Sequence, residues 1–250
     1  MKIWITWFRK LALWLLVTAA WEALSKVSPW VPSAFGILDR VAANLTDPQI
    51  LAALGRSLFR MAIGFTAVFL LGIGFGMVLG RYRVLDEAFG TVAMALHAMP
   101  GAAWVPLAIL LFGLTPSAVI FTVLLGATGI VMVSTSTGIK EVPPLLLRAA
   151  RTMGARGPKI FWHVVVPSAV PRIVDGLRLA WAFGWRALMA GELMIGSLQG
   201  MGEVLSRVDK QRDLHQILAF MVIIAVMSLA VDHLLFRRLE QLVKTRWGTA

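Results

Sequence analysis

Arg186 sits near the middle of an apolar stretch, and no residue in the sequence more needs a chemical explanation. A guanidinium at the centre of a bilayer costs roughly 3 kcal/mol on insertion scales unless it faces water, a carboxylate or an anionic solute. Glu192 follows six residues later, which is not a same-face helical spacing, so Arg186 must look to another helix or into a solute path. His97, Met99 and Pro100 sit where another apolar stretch is interrupted. A broken helix in a transporter can turn backbone carbonyls and amides toward a solute path, although a proline kink satisfied by neighbouring helices has the same signature. Asp232 and His233 lie near the end of the last apolar stretch, where Arg178 can meet Asp232 as a structural pair.

None of these groups forms a catalytic set. The sequence has no carboxylate pair at facing depths, no H-E-x-x-H and no Ser and His placed for nucleophilic attack, which removes the reading as an intramembrane enzyme. It has no phosphate loop and not even a Gly-Lys dipeptide, so any ATP would be hydrolysed by another subunit. Zero cysteines and four scattered histidines give no metal cluster to expect.

The elements that must position Arg186 follow from hydropathy. The chain has 250 residues, 58% of them hydrophobic and 15% charged, which is too apolar for a water-soluble domain of this length. Apolar stretches of about the bilayer-spanning length cover 3–24, 57–80, 88–114, 117–133, 173–195 and 217–236, giving an all-α membrane protein of about six spans in one domain, 1–250. The first stretch starts like a secretory signal, but Trp4, Trp7, Trp14 and Trp21 suit a retained helix with interfacial aromatics. Residues 25–54, with Pro29, Pro32 and Pro48, read as a surface segment with an amphipathic portion at 35–45. Ser134 to Thr137 read as capping and solvation at a helix end.

The net charge of +11 sits at the ends of apolar segments, which indicates orientation in a bilayer and not nucleic acid. Six spans with the N-terminus inside place sixteen lysines and arginines on the inner side and seven on the outer side, supporting cytoplasmic N- and C-termini. Gly72, Gly76 and Gly80 form a small-residue stripe expected to pack within the subunit, and Gly176, Ala180 and Gly184 form another.

The longest interruption contains RAARTMGARGPKIFWHVVVP, residues 148–167, within a basic segment spanning 141–167. It reads as an amphipathic basic helix, a glycine-centred turn at Gly154 and Gly157-Pro158, and a second short helix. Ala149 and Ala150 would leave a smooth surface for another protein. The segment resembles the cytoplasmic motif of type I ABC importer permeases: Glu-Ala-Ala, three residues, Gly, nine residues, then Ile-x-Leu-Pro. Ala149, Ala150, Gly154, Val164, Val166 and Pro167 fit that spacing, while Arg148 stands where the family usually has glutamate. VPSAFGILDRVAANL, SLFRMAIGFTAVFLLGIGFGMVLGRYRVLDEAF, MPGAAWVPLAILLFGL and GELMIGSLQGMGEVL are similar to blocks of the nitrate, sulfonate and taurine branch.

The resemblance implies a permease subunit of the bacterial inner membrane, with Arg148, Ala149, Ala150, Gly154, Ala155 and Pro167 coupling it to two ATPase subunits. It implies a second permease copy, by default an identical one. An extracytoplasmic binding protein would deliver a small anion of the nitrate, sulfonate, taurine or bicarbonate type, with an aromatic acid or vitamin precursor as the alternative. A non-transport structural membrane subunit is the other reading, disfavoured by the docking element and the broken third span. ATP-Mg would be used by the partner ATPase, and no cofactor would be bound by this chain. In resembling transporters the fifth span lines the central path at the subunit interface; this makes Arg186 and Glu192 candidate path residues, beside His97 and Met99 at the broken third span. It also gives the stripe through Gly176 an expected interface role. Glu192 resembles a family glutamate near the outer end of that span; its simpler reading is a structural hydrogen bond to a neighbouring loop.

Overall fold

The computed structural model describes residues 2–28 and 30–247. Pro29 lies outside the described residues, as do the side chains of Lys2, Trp4, Lys10, Lys244 and Arg246, on which part of the charge count and of the first-helix reading rests. Among the described residues there are helices and turns and no strand.

Helix α1 (Lys2–Val27) is followed by α2 (Ala34–Thr46), whose start is fixed by two side chains. Ser33 Oγ accepts from the Gly36 amide at 3.1 Å, and Glu22 Oε2 accepts from the Ala34 amide at 3.0 Å. Asp47 caps α3 (Pro48–Arg81) by accepting from the Gln49 amide at 2.8 Å, so that helix begins nine residues before the expected span. Its 34 residues give a length of about 51 Å, longer than the ~30 Å hydrocarbon layer, and leave its first turns outside the bilayer. After it come α4 (Arg83–Ala98), a 3₁₀ turn (Gly101–Trp104) and α5 (Val105–Phe112). The expected third span is thus two helices bent by 104°. Helix α6 (Pro116–Lys140) runs seven residues past its expected end.

Beyond α7 (Pro144–Thr152), α8 (Pro158–Ile160), a π-helical turn (Phe161–Val165) and α9 (Val166–Ile195) form one rod of 38 residues. Then follow α10 (Met201–Gln211), α11 (Leu214–Val231), a second π turn (Asp232–Phe236) and α12 (Arg237–Trp247). Four helices among the described residues are long and apolar enough to cross a membrane, and the bent pair would make a fifth. Helix α1 is 26 residues long but carries Glu22 and Lys26 in its second half.

The core is built around α6. Two thirds of its apolar window (67%) is buried inside the chain, against 28% for α3 and 17% for the helix from Leu214, so α6 is the axis and the others turn apolar sides outward to lipid. On one side, a side chain at Gly72, Gly76 or Gly80 would collide with Val131, Thr135 or Ile139, which places that stripe in intrachain packing as expected. On the other side lies the stripe of Gly176, Ala180 and Gly184, all buried. A Cβ on Gly176 would stand 2.4 Å from Ser134 Cβ, and one on Gly184 would stand 2.9 Å from Met61. The expected interface role of this stripe is therefore corrected: it holds α9 against α6 and α3. Ser134 to Thr137 are corrected too, because Thr135 and Ser136 lie buried inside α6 where the glycine-bearing helices approach, not at its end.

Gly176→Leu should overpack this contact and cost about 1–3 kcal/mol. Thermal unfolding in detergent checks it, with Gly74→Leu as the control expected to keep the wild-type midpoint, since nothing lies within 4 Å of a Cβ there.

Candidate functional site

The segment at 144–167 is built by local backbone chemistry. Pro144 starts α7, a position that needs no amide donor. The helix stops at Gly154, whose φ of 84° lies in the left-handed region. The Ala155 amide donates to the Ala150 carbonyl at 3.0 Å and the Gly154 amide donates to the Arg151 carbonyl at 3.0 Å, the paired bonds of a Schellman cap. Gly157, φ 50°, then turns the chain into Pro158 and the 38-residue rod. A knob of fixed shape results, held at the foot of a membrane-crossing helix.

Two expectations change here. Ala149 is exposed, but Ala150 is only 3% exposed and faces the bundle, so the smooth outer surface is formed by Ala149 flanked by Arg148, Met153 and Gly154. The second short helix is not separate: Pro167 lies within the rod, just after the π turn. There the Val166 amide reaches back to the Phe161 carbonyl, and proline next in line supplies no donor of its own.

The candidate path residues separate into two places. Along α9 the exposed positions Arg172, Asp175, Leu179, Arg186 and Leu193 recur at helical spacing and form one open stripe, on a different face from the buried glycine stripe. Arg186 stands on it with its guanidinium 5.0 Å from the Phe183 ring centroid, and no ion pair involving Arg186 occurs among the described residues. The break between α4 and α5 rests close by: a Cβ on Gly101 would be 2.6 Å from Ala187 Cβ, and one on Gly129 of α6 would be 2.4 Å from the His97 amide. His97 and Met99 are both exposed at this break. The fold therefore brings Arg186, His97 and Met99 to one level of the bundle.

Glu192 belongs elsewhere. It is 0% exposed, so it is not open to a path in this conformation. Its carboxylate accepts from Arg60 Nη1 at 2.5 Å, from Ser57 Oγ at 2.7 Å and from the Gly202 amide at 3.0 Å. Ser57 Oγ in turn accepts from the Met201 amide at 2.9 Å, and Arg60 Nη2 donates to the Leu198 carbonyl. This network ties α3, the end of α9 and the start of α10 together, and it matches the structural reading of Glu192. Sequence reasoning missed Ser57 and Arg60, which count there only as a span boundary and an outer charge. Their i, i+3 spacing on one helix face and the need of Glu192 for a cation were the available signals.

At the end carrying α7, Arg178 makes a two-pronged contact with Asp232, Nε–Oδ1 2.6 Å and Nη2–Oδ2 2.8 Å, and reaches Glu240 at 3.2 Å. The expected Arg178–Asp232 pair is present; it joins α9 to the second π turn, and the Glu240 contact adds α12. Lys140 and Asp86 meet at 2.5 Å and join α6 to α4.

An all-helical membrane bundle with a bent helix pair packed beside its central helix and a capped amphipathic knob at one end is the architecture of a transporter's membrane subunit. The family described as binding-protein-dependent transport system inner membrane component matches residues 69–246. A probable ABC transporter permease protein of Brucella melitensis biotype 1 is 31% identical over 231 residues, covering 91% of each chain. The bicarbonate transport system permease protein CmpB of Synechocystis sp. is 27% identical over 235 residues, 89% of this chain and 81% of that one. Among solved structures, the inward-facing MetNI methionine ABC transporter superposes with a TM-score of 0.64 at 16% identity, over 78% of this chain and 96% of that one. The chain belongs to the binding-protein-dependent transport system inner membrane component family. It has the type I ABC importer permease fold and is a multi-pass transport subunit of the inner membrane.

Proposed function

We propose that two copies of this chain form the path of an ATP-driven importer for a small anion. The observation that carries the reading is the Schellman-capped knob at 144–157, which presents Arg148, Ala149 and Gly154 on the surface at the foot of the α9 rod. Two ATPase subunits grip these knobs from the cytoplasm, where both termini also lie by the positive-inside argument. ATP-Mg bound by the ATPases closes them, and the movement passes through α8 and the π turn into α9, changing outward to inward opening. An extracytoplasmic binding protein delivers the solute.

The anion assignment is supported by Arg186, an exposed cation with no acidic partner among the described residues, on the open stripe beside the broken helix pair. The similarity to a bicarbonate permease and to the nitrate, sulfonate and taurine branch points the same way. Arg148, in place of the usual glutamate, calls for an acidic residue on the ATPase surface it meets.

Co-expression with the ATPase encoded beside this chain tests the reading. Wild type should bring the ATPase down on purification. Gly154→Arg should lose it, since a side chain at φ 84° costs about 1–2 kcal/mol of cap stability and also crowds the docking surface. Equal recovery with both chains would reject the docking role of the knob.

A further inference from the structure

A second basic feature lies between the knob and the end of α3. Arg81, at the end of α3, and Arg151 and Arg156, on α7 and the turn after it, line one cavity of about 530 Å³ together with Leu147, Ile160 and Phe161. No carboxylate lines it. None of the three guanidiniums makes an ion pair or side-chain hydrogen bond among the described residues; Arg81 lies 4.4 Å from the Phe161 ring centroid. The neighbouring polar cavity between α4 and α6 differs, because its Lys140 is neutralised by Asp86 at 2.5 Å. Three uncompensated guanidiniums around one space repel each other, and an anion with several oxygens would satisfy them together.

The depth and lining identify the anion. Arg81 is the last residue of a membrane-crossing helix, so the cavity stands at the membrane-surface end of that helix. Leu147, Ile160 and Phe161 give it an apolar side, and Trp162 beside it is 57% exposed. A phosphate among the arginines with hydrocarbon along the apolar side matches both halves. We propose that this cavity is a binding site for the phosphate headgroup of an anionic phospholipid, held between the end of α3 and the back of the α7 knob.

The test needs no ATPase and is therefore independent of the transport reading. The full chain in phosphatidylcholine nanodiscs is titrated with spin-labelled phosphatidylglycerol, and with spin-labelled phosphatidylcholine as reference. Wild type should prefer the anionic label by about tenfold or more, as each basic residue near a membrane surface contributes about fivefold. Arg81→Gln/Arg151→Gln/Arg156→Gln should remove the preference. Arg83→Gln/Lys159→Gln/Arg238→Gln, which removes the same charge from exposed positions outside the cavity, should keep it. If the cavity triple does not insert, Arg156→Gln alone, in the exposed turn, should lower the preference by up to about fivefold. An equal loss in both triples would show a diffuse basic face and overturn the site. Displacement of the label by millimolar inorganic phosphate would show a soluble anion and overturn the lipid assignment; no displacement supports it.

Discussion

Glu192→Ala should destabilise the protein by about 3–5 kcal/mol, the usual cost of removing one partner of a buried ion pair. Arg60 is 7% exposed and would keep its charge with only the Leu198 carbonyl to accept from it. Ser57 Oγ and the Gly202 amide would also lose their acceptor, so the loop between α9 and α10 would come loose from α3. The thermal midpoint in detergent should fall and the yield of inserted protein with it. Arg60→Met/Glu192→Leu, which removes both charges and keeps the volume, should recover most of the loss. If Glu192→Ala instead kept the wild-type midpoint and lost only transport, Glu192 would be a path residue after all and the enclosed conformation would not be the working one.

Arg186→Glu should have the larger effect on transport. An anion that meets a guanidinium on the open stripe of α9 would meet a carboxylate in its place, and the change is worth about 3 kcal/mol, near a hundredfold in rate at a given solute concentration. Stability should change little, because Arg186 is exposed and, among the described residues, its close partner is the Phe183 ring. Solute uptake and ATPase co-purification should be measured on the same preparation. Loss of uptake with the ATPase still bound supports a path role. Wild-type uptake with Arg186→Glu would place the solute elsewhere, and His97 and Met99 at the broken helix would be the next positions to vary.

The membrane class and most helix positions were legible because hydropathy reports directly on the solvent a helix faces. Helix ends were harder. Asp47 and Pro48 are a start signal for α3, but Pro48 also reads as a loop signal and Gly55 and Arg56 interrupt the apolar run, so the helix start is hidden. Ser134 to Thr137 looked like an end, when their small polar side chains are what lets α3 and α9 close on α6. The shape of the knob was legible because its glycine turn has a mechanism: Gly154 is in the left-handed region and Ala155 completes the cap. The inward turn of Ala150 was not, since two adjacent alanines on a short helix look alike until its partner surface is known.

Long-range pairings show the same limit. Arg178 with Asp232 could be matched by depth, as both stood near the same ends of their spans. Arg60 with Glu192 required knowing that α3 continues beside the end of α9, which no local pattern states. The two small-residue stripes were identical in kind, and only packing showed that both face α6 and that the open face of α9 is the one bearing Arg186.

The most direct measurement is uptake into proteoliposomes containing the chain and its co-purified ATPase, with ATP-Mg on the ATPase side and the binding protein on the other. Bicarbonate and nitrate are the first probes. Uptake should require ATP, stop with Gly154→Arg and fall sharply with Arg186→Glu. Flux that proceeds equally without ATP or without the ATPase would contradict an ATP-driven importer and leave this chain a passive path.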